Sequence, residues 1–472
     1  MIILSLFAYI LFFTLVAFIL KGTRDQQLFA LILVNILFYI NVALIAKPEL
    51  TPFQLLPYLF FAKEIFLNFG EFKKNFLQFP VKFGLLTIFA AYFFTTYANG
   101  GDGHDYYEVF RYCFDKYLPM VAVFICAKEV EEQKMVRSLF LFMLIYSGFG
   151  VFEYLLNHNY IREAIATAFP STKALDMFGP AGITHGLGAS GWRTRISITT
   201  KHPTALGTLL STMFLFTLTY YKNSKDDFQF HRIKFVLGSL FLVILLSGSR
   251  TALGCALLGC LIFFTDKLSF RKKLFAFILY GILAITMSTY AIQSFAAKEG
   301  GSSLELRQQQ LLFTLVEFSN KPLFGHGLYY TNHSILANAG DKGNMYYSKE
   351  ETEGLESIVF YTLLDIGLFG AFALIVFYGE TFLVFFFHRK EHPRLAMQGM
   401  LTTFLLAVFL TLSGEIGRNT EMSLLFIGTS LGFLHQEKER LEAEESDEDD
   451  SENATTEEDP LLLEQSEDFE NG

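Results

Sequence analysis

The stretch "LLSGSRTALG", residues 245–254, sets Arg250 between two apolar runs. A charge at the centre of a bilayer costs roughly 2.5–3.5 kcal/mol on insertion scales. Arg250 therefore belongs at a surface or against an anion. Two other polar segments carry arginines: "SGWRTRISITTKHPTALG" holds Arg193 and Arg195, and "ELRQQQ" holds Arg307. A guanidinium is permanently charged and can grip a phosphate through two parallel N–H bonds. Arg193 or Arg195, with Arg250 and Arg307, would together suit a pyrophosphate. Singly, each could equally anchor the chain at the bilayer boundary. The proton acceptor that such chemistry needs is Glu356 in "EETEGLESIVFYTLLDIGLFGA". Partly desolvated at the mouth of an apolar run, it could act as a general base. It could also be only an acidic helix start. His333 in "TNHSILANAG" and His326 in "FGHGL" are rival bases. No glycine-rich phosphate loop, nucleotide fingerprint or metal-ligand cluster stands out, so no cofactor, no metal and no nucleic acid are expected.

The elements that must position these residues are apolar helices. Of the 472 residues 52% are hydrophobic, 55 are Phe, and mean hydropathy is +0.36. Runs close to the ~20 residues that cross a bilayer recur along the chain. They lie at about 1–20, 28–46, 54–69, 82–98, 114–127, 138–156, 203–221, 234–248, 251–265, 274–292, 357–379, 397–413 and 422–434. The fold expected is an all-α polytopic transmembrane bundle of about 12–13 spans, with no cleavable signal peptide. Six regions follow: N-terminal helices (1–156), a loop (157–202), central helices (203–292), a large loop (293–356), C-terminal helices (357–434) and a tail (435–472). Lys/Arg-rich "KNSKDDFQFHRIK", "DKLSFRKK" and "HRKEHPR" mark one face as cytoplasmic, which sends both long loops and the "SGSR" turn outside. Within the large loop, "SLELRQQQLLFTLVEF" has the spacing of an amphipathic interfacial helix. Cys113, Cys126, Cys255 and Cys260 show neither disulfide nor metal spacing. From His435 onward 17 acidic residues face only Lys438 and Arg440, so the net charge of −10 hides a body of +5. That tail is expected to be disordered and cytoplasmic.

Residues 190–372 resemble the O-antigen ligase and polysaccharide polymerase family. The likeness rests on four segments in order: "RISITTKHPTALGTLL", "LLSGSRTALG", "LRQQQLLFTLVEFSNKPLFGHGL", and Glu356 followed after ten residues by Gly367. The resemblance implies that Arg250 and Arg307 contact the pyrophosphate of an undecaprenyl-linked oligosaccharide. Arg195 is the better match than Arg193 for the first arginine. Glu356 stands where ligases carry a histidine, which favours the polymerase branch.

The expectation is a metal-independent, inverting glycosyltransferase of the bacterial inner membrane, with its site facing outward. It would polymerise undecaprenyl-pyrophosphate-linked repeat units into surface polysaccharide, among membrane lipids and possible companions such as a flippase and a chain-length regulator. The alternatives are a ligase acting on the same donor, or a non-enzymatic transporter of it.

Overall fold

The computed structural model describes residues 2–38, 42–46, 49–169, 195–200, 202–221, 227–269, 271–276, 278–281, 303–331, 357–413 and 418–457. Among these the chain is helical, apart from one two-residue strand pair, Ile45–Ala46 against Glu49–Leu50. It is an all-α membrane protein. Large apolar side chains cover its outside: Phe66, Ile375 and Phe387 are each at least 70% exposed. Water would penalise such a surface, and a lipid bilayer accommodates it.

By length and composition, three described helices can each cross a bilayer alone: Glu132–Leu156, Gly367–Phe387 and Pro393–Leu412. Phe69–Leu77 and Lys82–Ala98 meet at 92° and add a fourth if counted as one. The 12–13 spans expected from hydropathy are therefore not 12–13 uninterrupted apolar helices. The run at 28–46 makes only the 14-residue helix Arg24–Leu37. That at 357–379 breaks at Ile366 into Ile358–Asp365 and Gly367–Phe387. That at 114–127 is the apolar half of Gly103–Ala127, whose first half is charged. Most of 274–292 lies outside the described residues.

The middle of the bundle is Pro203–Tyr220, buried along nearly its whole length. It packs on Asp227–Ser247, Arg250–Thr265, Pro393–Ser413 and Asn419–Glu457. Its hydroxyls survive there because each has an acceptor. Thr208 and Thr212 donate to the carbonyls one turn back, and Thr212 also meets Ser423 Oγ at 3.0 Å. Pro203 at the first helical position and His202 Nδ1, which accepts from Thr204 N at 3.1 Å, fix where the helix starts.

The bundle has two polar ends. At one, Glu64, 1% exposed, accepts two bonds from Arg24 at 2.7 and 3.0 Å, and Arg24 also reaches Glu129 at 2.8 Å. Nearby in the same layer Arg394 pairs with Glu132, which also accepts from Tyr220 OH at 2.6 Å. His231 and Arg232, from the described part of one basic stretch, line a cavity here with Glu132 and Arg394. The turn at Ser247–Arg250 and the break at Ile366 belong to the other.

The tail differs from the disorder expected of it, because Asn419–Glu457 runs as one helix of 39 residues. Pairs one turn apart, His435–Glu439, Lys438–Glu442 and Arg440–Glu444, extend it past the bundle. Residues 458–472 lie outside the described residues.

Arg24→Ala should lower the thermal unfolding midpoint in detergent, since breaking a buried ion pair costs about 3–5 kcal/mol. Adding Glu64→Gln should recover part of the loss by removing the stranded charge. A double variant no more stable than the single one would contradict this reading of the pair.

Candidate active site

The segment 195–200 is built to hold one backbone shape. The Glu153 carboxylate accepts from Ser197 N at 3.0 Å and Ile198 N at 2.7 Å. Asn159 Nδ2 donates to Ile198 O at 2.6 Å, and the fully buried Arg162 donates to Ser197 Oγ at 3.2 Å. Thr199 Oγ1 reaches Ile36 O at 2.6 Å and Tyr146 OH at 2.8 Å. These contacts keep Ile198 at φ +48°, in the left-handed region that a β-branched residue avoids. Such strain, about 1–3 kcal/mol, persists only where the surroundings over-determine it.

That shape delivers Arg195 to the "SGSR" turn. Its Nε donates to Ser247 O at 2.9 Å. Gly248 turns at φ +64°, and a Cβ there would sit 3.0 Å from Arg195 Nε. Ser249 Oγ then caps the helix Arg250–Thr265 by accepting from Ala252 N at 3.4 Å. Arg250 is the first residue of that helix and is exposed. Arg195 is half-buried, and its affinity for its proton is lowered, first by burial and then by the positive charge of Arg250. Two guanidiniums from separate segments thus share one spot, in the electrostatic setting that favours an anion between them.

A second unit joins the "PLFGHGL" turn to the break before Gly367. Gly325 and Gly367 both have positive φ, +63° and +70°. A Cβ on Gly325 would lie 2.6 Å from Asp365 C, and one on Gly367 2.5 Å from Leu323 O. With no side chains in the way, His326 N donates to Leu364 O at 2.8 Å and Gly327 N to Asp365 O at 2.9 Å. Leu368 N and Phe369 N return bonds to Pro322 O and Leu323 O at 2.9 and 3.1 Å. Both Ser303–Asn320, which contains Arg307, and Ile358–Asp365 end at this turn, and Phe313 and Phe318 pack with Phe360 around Leu364. The helix that carries Arg307 and the one that follows Glu356 are therefore one packed pair. Ser357 opens the second of them, its Oγ accepting from Val359 N at 3.3 Å.

Of the predicted site residues, Arg195 and Arg250 come together. Arg307 lies in the first turns of its helix, and its side chain is outside the described residues, as are Glu356, Arg193 and His333. His326 is engaged in the turn: it stacks on Tyr330 with centroids 4.1 Å apart, and Nε2 lies 3.1 Å from Glu317 O.

The sequence reading passed over Lys116, Asp365, Arg418 and Glu421, which are buried or half-buried at the same end. Each stands in or beside an apolar run, and a charge in such a run was the signal available. Asp365 Oδ1 accepts from Thr331 N at 3.0 Å and Thr331 Oγ1 at 2.6 Å. Burial nonetheless pushes its carboxyl up to about 6. A cavity of about 920 Å³ lies at the opposite end between Arg137, Tyr220 and Arg394, away from the arginine pair.

Gly367→Ala should open the 321–331 turn to limited proteolysis, since Ala pays for positive φ and meets the Leu323 carbonyl. Gly379→Ala, where a Cβ would meet nothing within 4 Å, should not. Equal protection of the turn in both variants would contradict the glycine account.

No curated protein matches the chain. Residues 235–375 match the family model described as O-antigen ligase. The matched stretch contains the "SGSR" turn, the Arg307 helix and the paired glycines. Over these residues, about a third of its length, the chain is similar to the O-antigen ligase family.

Proposed function

We propose that the protein is a glycosyltransferase that joins undecaprenyl-pyrophosphate-linked repeat units into a surface polysaccharide. The observation that carries this reading is the Arg195–Arg250 pair, held by the 2.9 Å bond from Arg195 Nε to Ser247 O. A doubly phosphorylated leaving group is the anion such a pair fits, and the family acts on lipid-linked glycans. His231, Arg232 and Arg394, from two of the Lys/Arg-rich stretches, line the cavity at the bundle end opposite the pair. The positive-inside rule supports a site on the outer face of the bacterial inner membrane. A flippase would supply the substrate to that face, and a chain-length regulator would be a natural companion.

In the proposed reaction a hydroxyl of the acceptor glycan attacks the anomeric carbon of the donor. Glu356 takes the hydroxyl proton, and the new C–O bond forms as the bond to pyrophosphate breaks. Undecaprenyl pyrophosphate leaves with the electron pair, and a single displacement inverts the anomeric centre. Arg195, Arg250 and Arg307 meet the charge as it builds on the leaving oxygens, where fixed donors lower the barrier most. Three guanidiniums supply the neutralisation that a divalent metal supplies in other transferases.

The matched family description favours a second reading, a ligase that passes the finished glycan to another acceptor. The products separate them. Loss of a polymerase leaves single lipid-linked repeat units, and loss of a ligase leaves long lipid-linked chains.

Purified protein should join lipid-linked repeat units in nanodiscs. Arg250→Ala should insert normally yet lose about 10²–10³ in kcat, the usual effect of removing one donor to a developing charge. Unchanged polymer formation by Arg250→Ala would contradict the proposal.

A further inference from the structure

A small cavity of about 220 Å³ opens between the helices Lys82–Ala98, Gly103–Ala127, Ile358–Asp365 and Asn419–Glu457. Ile358, Tyr361, Thr362 and Asp365 line it from one face of the helix that Ser357 opens. Lys116, only 3% exposed, lines the opposite wall and donates to Tyr112 OH at 2.6 Å. Its ammonium also lies 4.9 Å from the Tyr112 ring centre. Tyr329 closes one side, edge-on to Tyr112 with centroids 6.0 Å apart. It does so at φ +63°, a conformation a tyrosine adopts at a cost. The bonds from Thr331 to Asp365 hold the strained turn there.

The lining selects the ligand's chemistry. Lys116 faces Asp365 and Glu421, and Glu421 pairs with Arg418 at 3.8 Å, so the charges balance and leave no net positive charge for a phosphate. A metal ion or organic cation is disfavoured by Lys116. An acyl or polyprenyl chain would strand the buried charges. A polyhydroxyl ring satisfies both signs, since each hydroxyl donates and accepts, and its C–H face can lie on tyrosine. The volume is below the roughly 300–1,000 Å³ of sites for drug-sized ligands, which leaves room for one ring and not a chain.

We infer that this cavity binds the terminal sugar ring of the acceptor glycan, with Tyr112 and Tyr329 as its walls and Lys116 and Asp365 on its hydroxyls. The assignment rests on the proposed glycosyl transfer. It sets the acceptor against the helix that follows Glu356, apart from the arginines that hold the lipid pyrophosphate.

The test uses full-length Thr362→Cys protein in nanodiscs. A small water-soluble methanethiosulfonate labels it, and modification at position 362 is read by peptide mass spectrometry, so the native cysteines do not interfere. Lipid-linked glycan extracted from source cells lacking this protein should slow labelling at least tenfold. Undecaprenyl phosphate, which carries no sugar, should slow it less than twofold. Lys116→Met in the same background should abolish the protection. Ile358→Cys on the same wall replaces Thr362→Cys if the latter does not fold. No protection by the glycan, or equal protection by the bare lipid, overturns the inference. The wild-type transfer assay keeps the two claims apart. Transfer without protection removes the cavity's role alone. Protection without transfer removes the polymerase reading and leaves a glycan site.

Discussion

Two like charges brought to one turn, Arg195 and Arg250, are the feature around which this polar end of the bundle is organised. Arg195 loses solvation and feels the repulsion of Arg250, and both effects oppose its charge. The fold offsets them with contacts made elsewhere. A carboxylate, an amide and a buried guanidinium, from Glu153, Asn159 and Arg162, lock the backbone that aims Arg195. The Ser247 carbonyl then fixes its Nε. A side chain so constrained cannot swing away to relieve the repulsion. On the proposed function an anionic ligand would relieve it instead, and pre-organisation of this kind is how fixed charges contribute most to a transition state.

The second constraint is backbone on backbone. The Gly325 and Gly367 turns approach so closely that neither tolerates a methyl group. Their bonds tie the end of the amphipathic helix to the start of the span Gly367–Phe387. A shift in the Arg307 helix is therefore a shift in the helix after Glu356. That linkage explains why an arginine-bearing segment and a glycine turn occur in sequence with the helix that follows Glu356 and breaks just before Gly367, eleven residues after Glu356.

Much of this was legible before the structure. Arg195 and Arg250 stood out because an arginine in an apolar context needs a reason, and the structure brings Arg195 to the turn that precedes Arg250. The all-helical membrane class followed from the apolar runs. The number of uninterrupted spans did not, because hydropathy is blind to breaks. The break at Ile366 has no proline to announce it, and Gly367, inside the expected run 357–379, starts a helix at positive φ. Lys116 and Asp365 were hidden for the same reason, since each sits where a continuous span was expected. The tail's acidity suggested disorder, and the helix that begins at Asn419 runs on through its first part to Glu457. Glu356, the proposed base, was found by sequence spacing alone and lies outside the described residues.

The claim on which the rest depends is that Arg195 and Arg250 grip one anion jointly. A double-mutant cycle on undecaprenyl pyrophosphate binding in nanodiscs tests it most directly, using Arg195→Ala, Arg250→Ala and the double variant. Joint grip predicts that each single substitution weakens binding at least tenfold, and that the double variant loses clearly less than the product of the two. Unchanged binding in either single variant, or losses that simply multiply, would contradict it.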